Sequence, residues 1–273
     1  MTYDIIPLGE KKKTNKYNFL RKPMPTEFPC RILACGPSGS GKTVAMLNVV
    51  LRHLVDKKIT GRNLGRATDQ VKDSIFNEII VMSPSLYDDP AYEDLKNDKY
   101  IDSEIVSGFN YLDMEVITEI MQGNSDGEND EQTCLIIDDF AAQKKNLMQE
   151  QFLDMWFRSR HQNITLIFMT QKYCQAPTAL RQNCNYMMLF RPSTQLEARQ
   201  IRMDNETTEI NGEGFDQMFQ DLTKEKHAFM WVDKSDGKPK FFKNFEAEVV
   251  FKESIKTEDT SSSKEDITEN QDA

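Results

Sequence analysis

Eight consecutive residues, Gly36-Pro37-Ser38-Gly39-Ser40-Gly41-Lys42-Thr43, fill the pattern G-x-x-x-x-G-K-[ST] completely. Its glycines let the backbone curl so that successive N–H groups face inward around phosphate oxygens. Lys42 can then neutralise the β- and γ-phosphates of ATP, and the Thr43 hydroxyl can ligate Mg²⁺. A chain of this length meets the pattern by accident about once in a hundred. The context narrows that further, because the apolar run Arg31 to Cys35 precedes the loop and Leu47, Val50, Leu51 and Leu54 follow it at helical spacing. Strand, glycine loop and helix in that order are what phosphate binding requires.

A second constellation lies further along. Leu135-Ile136-Ile137-Asp138-Asp139 reads as an apolar strand ending in two carboxylates. In a parallel sheet its carboxyl end falls beside the phosphate loop. Asp138 is expected to hold Mg²⁺ through water, and Asp139 to accept a hydrogen bond from the attacking water, a step that hydrolysis needs and mere binding does not. Solvated turn residues are the alternative for this pair. One helix later, Asn163 to Thr170 (NITLIFMT) leads into Gln171. An amide there can donate to a γ-phosphate oxygen and accept from water; capping or exposure explains a lone Gln equally well. Before that strand stand Arg158, Ser159, Arg160 and His161. An extended chain from 163 to 171 covers roughly 25 to 30 Å at about 3.3 Å per residue. Both arginines therefore lie at the far edge of the sheet from their own nucleotide. If either stabilises a transferring phosphate, it does so in a neighbouring subunit, with Arg160 the better candidate and pairing with surface acids the alternative.

The elements that must position these groups alternate in type. Strands are expected at 31–35, 78–83 (stopped by Pro84), 133–137, 163–170 and 186–190, and helices after Gly41, over 111–121, and around Met148, Phe152, Met155 and Trp156. Strands apolar on both faces and separated by helices imply an α/β fold with a mostly parallel, five-stranded central sheet flanked by helices. Residues 227–232 and 240–245, either side of Ser235-Asp236-Gly237, read as a C-terminal β-hairpin.

Composition bounds the rest. The chain has 273 residues, 38% of them hydrophobic, a formal charge of −10 and a mean hydropathy of −0.61. No run approaches the ~20 apolar residues of a membrane span, and the N-terminus lacks the apolar stretch of a signal peptide, so membrane and secreted classes are excluded. Five cysteines (30, 35, 134, 174 and 184) are read as reduced structural thiols; Cys30 and Cys35 lack the second ligand pair that zinc needs. Most of the negative charge sits in two places: residues 253–273 carry net −5 and residues 122–132 carry net −4, leaving −1 for everything else. A nearly neutral body can display basic patches to a polyanion. The expected organisation is a basic arm over 1–27, an ATPase domain over 28–250 with an acidic loop at 122–132, and a disordered acidic tail over 251–273. Within the arm, residues 11–22 hold six bases and no acid, as a solvated segment or one that binds nucleic acid or a partner.

In this order, GPSGSGKT (36–43), IIVMSPS (79–85), CLIIDDF (134–140) and RSRHQNITLIFMTQ (158–171) resemble the FtsK-HerA group of P-loop ATPases, and within it the genome-packaging ATPases of poxviruses, other large DNA viruses, virophages and Polinton-type elements. The resemblance spans residues 30 to 195. It implies a RecA-like (ASCE) fold with the Gln strand inserted between the phosphate-loop strand and the acidic strand. It also implies a homo-oligomeric ring, pentamer or hexamer, that drives double-stranded DNA into a preformed capsid. Capsid or portal-vertex proteins would be its partners at an intracellular virus-assembly site. Many relatives have Glu where this chain has Asp139, one methylene shorter, which points to slower turnover. Candidate DNA contacts are Lys144, Lys145, Lys172 and Tyr173. The competing readings are a nucleotide or small-molecule kinase, which shares the phosphate loop, and a nucleotide-dependent assembly or scaffold protein. A large terminase is disfavoured, since the sequence after 195 has no set of strand-borne carboxylates for a nuclease.

Overall fold

The computed structural model describes residues 15–16, 25, 27–50, 75–96, 103–123, 131–140, 150–210, 212–246 and 248–249. Most of the basic arm, the centre of the acidic loop, the tail, Leu51, Leu54, Met148, Lys144 and Lys145 lie outside them. Two short strands, β1 (Asn15–Lys16) and β2 (Glu27–Phe28), pair antiparallel ahead of the main sheet. That sheet is built from β3 (Arg31–Cys35), β4 (Glu78–Met82), β5 (Val106–Phe109), β6 (Thr133–Asp138), β7 (Ile164–Thr170), β8 (Tyr186–Phe190), β9 (Phe229–Asp233) and β10 (Lys240–Lys243). Its order is β10-β9-β8-β3-β7-β6-β4-β5. The six strands from β8 to β5 run parallel, and β9 and β10 join antiparallel on the β8 side.

Alternation sorts the side chains onto two faces. Leu33, Cys35, Leu135, Ile137, Leu166 and Phe168 belong to one buried cluster, while Ile32, Ala34, Cys134, Ile136, Ile167 and Met169 belong to the other. The first face is covered by α2 (Met114–Gly123), α3 (Glu150–Arg158), α4 (Thr178–Asn183), α5 (Gln195–Asn205) and α6 (Gly212–Leu222). On the second face lie α1 (Lys42–Asn48) and the turn and 3-10 segment after β4. Strands covered on both faces are buried at every position, as Thr133–Asp138 and Ile164–Thr170 are, and they are apolar apart from Thr133, Asp138, Thr165 and Thr170.

Three features differ from the sequence expectation. The sheet has eight strands rather than five, because the C-terminal hairpin is not an appendage: β9 pairs with β8 along its whole length. Val106-Ser107-Gly108-Phe109 forms an additional edge strand, half-exposed and too short to show periodicity. Helix α2 begins at Met114 rather than 111, because the Asp113 carboxylate accepts the Glu115 and Val116 amides at 2.9 and 3.2 Å and so fixes the start. As expected, β7 inserts between β3 and β6. Cys30 and Cys35 face opposite sides of the sheet, as their odd separation along one extended chain demands; Cys174 is the one exposed thiol among the five. No helix among the described residues is long and apolar enough to cross a membrane.

Candidate functional site

Register brings the chemistry to one end of the sheet. Cys35 is level with Thr170 in β7, and Asp138 is level with Met169. The next residues in each chain, Gly36, Gln171 and Asp139, therefore emerge side by side at the carboxyl ends of three adjacent strands. Two backbone bonds continue the ladder past the strand ends: the Gly36 amide donates to the Thr170 carbonyl and the Asp139 amide to the Met169 carbonyl, each at 3.1 Å.

The 36–43 loop turns tightly over β3. Gly36 fits because a Cβ there would lie 2.7 Å from Ser40 Oγ and 2.8 Å from Phe190 Cβ. Gly41 has φ +90°, a left-handed conformation that a side chain would strain, and it precedes the first residue of α1. Within the loop the Ser40 amide donates to the Pro37 carbonyl at 3.2 Å, Ser38 and Gly39 face solvent, and the Ser40 hydroxyl is buried without a hydrogen-bond partner. Thr43 follows half-buried on α1.

Lys42 points into the protein and is 8% exposed; its Nζ lies 3.3 Å from Asp138 Oδ1. The second Asp138 oxygen accepts from the Tyr92 hydroxyl at 2.5 Å. Tyr92 stands on the 3-10 helix Pro90–Lys96 and is 1% exposed. Burial, and then the Asp138 charge, push its phenol well above the ordinary range, so Tyr92 donates and does not ionise. Asp139 leaves the strand direction at φ +61°. Its Oδ2 accepts from Gln171 Nε2 at 2.5 Å. Burial raises its pKa, with Lys42 and the Gln171 bond opposing and Asp138 adding to the rise. A desolvated carboxylate with a raised pKa is a better proton acceptor than an ordinary aspartate.

The structure thus brings together Gly36–Thr43, Asp138, Asp139 and Gln171. It does not bring Arg158 or Arg160 to them: both follow or end α3, at the amino end of β7 and the opposite edge of the sheet. Arg158 pairs with Asp154 at 3.0 Å on the surface, and Arg160 is exposed. Of the candidate DNA contacts, Lys172 is exposed, but Tyr173 is not available. Its ring is fully buried under the Arg181 guanidinium, 5.0 Å from the ring centroid, and its hydroxyl accepts from Asn205 at 3.4 Å. An aromatic residue after the Gln strand serves the core here, because the short 3-10 turn Tyr173–Gln175 directs it back onto α5.

Two residues escape sequence reasoning. Tyr92 lies in a stretch of turn-forming residues with no periodicity, so nothing marks it as a partner of Asp138. His227 reads as the start of a hairpin, yet its Nδ1 sits 3.0 Å from the Ser40 carbonyl and its ring packs on Gly41. The antiparallel β9 begins at the carboxyl end of β8, and this carries His227 to the loop.

The zonular occludens toxin (Zot) family matches residues 32–194, which contain every one of these strand-end residues except His227. The chain belongs to the Zot family. Among solved structures, the genome-packaging NTPase B204 of Sulfolobus turreted icosahedral virus 2 in complex with ATP-gammaS is similar at 15% identity and a TM-score of 0.51, covering 80% of this chain and 98% of that one. The same NTPase with AMP aligns at 14% identity and 0.51, over 78% and 96% of the two chains. The DNA-packaging ATPase B204 of Sulfolobus turreted icosahedral virus gives the same values. A search of curated proteins gives no significant match. The Zot-family chain therefore has the α/β fold of a viral genome-packaging P-loop NTPase, with a mixed sheet of eight strands.

Proposed function

We propose that this Zot-family protein is an ATP-hydrolysing motor of the FtsK-HerA type that translocates double-stranded viral DNA into a preformed capsid. The observation that carries the reading is the contact between Asp139 and Gln171 beside Lys42 and Asp138. A kinase needs the loop and the metal carboxylate, but only hydrolysis needs a second carboxylate to orient water and an amide beside it to register the γ-phosphate. The likeness of the fold to B204 supports the same reading.

The residues fit ATP and Mg²⁺. Ser40 Oγ is a buried hydroxyl awaiting a partner, and Gly36 and Gly41 leave no room for side chains around the loop. Among the described residues no group of three or more His, Cys, Asp or Glu is arranged to hold a metal by itself. Mg²⁺ at nucleotide sites is typically held by one or two side chains together with the phosphates, and Thr43 and Asp138 are those side chains. The ion would neutralise charge developing on the phosphoryl oxygens. In the chain, Lys42 exchanges its contact with Asp138 for phosphate oxygens, while Tyr92 keeps the Asp138 carboxylate in place. Asp139 accepts the proton side of a water, and Gln171 reports the loss of the γ-phosphate to Lys172 and the loop beyond. Arg160, with Arg158 as the weaker candidate, acts on the nucleotide of the next subunit in a ring.

Phosphate release measured with and without long duplex DNA tests the proposal. Stimulation by DNA, abolished by Lys42→Ala and by Arg160→Ala, is expected. A phosphorylated acceptor in place of free phosphate, or no response to DNA, rejects it.

A further inference from the structure

The phosphate loop is gripped from outside by a residue of the terminal hairpin. His227 stands in the exposed turn 224–227 between α6 and β9, which is closed by the Ala228 amide donating to the Glu225 carbonyl at 3.1 Å. Its φ is +64°, a left-handed conformation that residues with side chains seldom adopt. Such a conformation persists only where surrounding contacts impose it. The end of β10 supplies those contacts. Lys243 pairs with Glu225 at 2.9 Å. Asn244, itself at φ +53°, donates its amide to the Phe229 carbonyl at 2.9 Å and accepts the Phe229 amide on its side-chain oxygen at 3.1 Å. The two strands are thus clamped where β9 begins, and the clamp aims the imidazole at the loop.

Its target is a single peptide unit. His227 Nδ1 lies 3.0 Å from the Ser40 carbonyl oxygen, and because a carbonyl only accepts, Nδ1 carries the proton. On one side the Ser40 amide donates to the Pro37 carbonyl at 3.2 Å; on the other the Gly41 carbonyl accepts the Ala45 amide at 2.8 Å as α1 opens. With both neighbours anchored, His227 settles the tilt of the peptide between them. The carbonyl and the following amide of a planar trans peptide point opposite ways. A Ser40 carbonyl turned out toward His227 therefore turns the Gly41 N–H inward, where a phosphate-binding loop needs its donors. Only glycine fits at 41 beside the ring, since a Cβ there would lie 3.1 Å from Nδ1.

We infer that His227 is a positioning residue of the phosphate loop: by holding the Ser40 carbonyl it presets the Gly41 amide for a phosphate oxygen, and so makes nucleotide affinity depend on the terminal hairpin. The inference rests on the reading of residues 36–43 as a nucleotide loop. It needs neither DNA nor a second copy of the chain. Its energetic basis is preorganisation, because a donor already turned inward does not have to be ordered when the nucleotide arrives. Strain at residue 227 is then the counterpart of order at residue 41.

Displacement of a fluorescent ADP from the full chain by Mg-ADP and by Mg-pyrophosphate tests this with two variants. Glycine takes the left-handed conformation without strain, so His227→Gly should keep the thermal midpoint while weakening both ligands about tenfold, the scale of one hydrogen bond to a charged group. Asparagine also tolerates that conformation, and its amide can offer an N–H close to the place of Nδ1. His227→Asn should therefore bind within about threefold of the wild type, a rescue that a purely structural role does not predict. Wild-type affinity in His227→Gly, or no recovery in His227→Asn, overturns the inference. A loss seen with ADP but not with pyrophosphate assigns the ring to the nucleoside and overturns it as well, as does a midpoint that falls in step with affinity in both variants. A wild type that binds neither ligand overturns the nucleotide-loop reading and this inference with it. One that binds both but releases no phosphate sinks the motor reading alone.

Discussion

At the scale of single residues, the site divides its carboxylates by environment. Asp138 has both oxygens engaged, by Lys42 and Tyr92, whereas the Asp139 carboxylate has one hydrogen-bond partner among the described residues, Gln171, and burial works against its charge. Asp139→Asn should therefore keep nucleotide binding and lower kcat by about a hundredfold or more, the scale of general-base loss, as read by single-turnover phosphate release. The sign of the pH effect follows from the raised pKa: Asp139 must be anionic to accept a proton, so activity falls as pH drops through its pKa. That acid limb should lie above the ordinary aspartate value of about 3.9 and be absent from the residual rate of Asp139→Asn. Tyr92→Phe removes a donor from a buried carboxylate oxygen. Stability should fall by about 1–3 kcal/mol in urea titration, together with a higher Mg²⁺ requirement for hydrolysis. The glycine-lysine motif and the acid pair were legible because they are local in sequence. The Tyr92 and His227 contacts were not, since each spans a loop or a whole sheet.

At the scale of elements, close packing under the loop and the added hairpin carry the strongest expectations. Gly36→Ala places a methyl group against Ser40 and Phe190, and overpacking of this kind costs about 1–3 kcal/mol. Differential denaturation should show that loss along with weakened nucleotide binding. Trp231 on β9 is fully buried and stacked on Tyr186 with centroids 5.5 Å apart. Trp231→Ala should cost about 3–5 kcal/mol in the same titration, although the residue lies far from any motif. The parallel strands 31–35, 78–82, 133–138, 164–170 and 186–190 were readable within a residue or two, because burial on both faces writes an uninterrupted apolar run. Strand β5 was not, since an edge strand with Ser and Gly at its centre carries no such signature. Helix α5 was also missed, Ile201 being its one buried apolar residue, whereas α6 carries a legible signal that the sequence reading did not use, with Phe215, Met218, Phe219 and Leu222 at i, i+3, i+4 and i+7.

For the whole molecule, separation is the governing fact: the phosphate loop and Arg160 lie at opposite ends of the same sheet. Catalysis that uses both must cross between copies. Mixing Arg160→Ala with Asp139→Asn, each strongly impaired alone, should restore DNA-stimulated ATPase, because some interfaces then combine an intact Asp139 from one copy with an intact Arg160 from the other. No recovery at any ratio would place the arginine outside catalysis. DNA stimulation should also decline steeply with salt, as expected for contacts to phosphates without base readout.

By itself the sequence determined the strand-loop-helix with its glycine-lysine motif, the acid pair, the Gln strand and the distance of the arginines from them, because each depends on covalent neighbours and on periods of two or 3.6 residues. Tertiary structure alone decided that Asp139 meets Gln171, that Tyr92 holds Asp138, that Tyr173 belongs to the core and that the hairpin completes the sheet. These depend on strand order and register, which bring together residues up to 187 positions apart, as between Ser40 and His227. No local pattern in a chain encodes which of its strands will lie side by side.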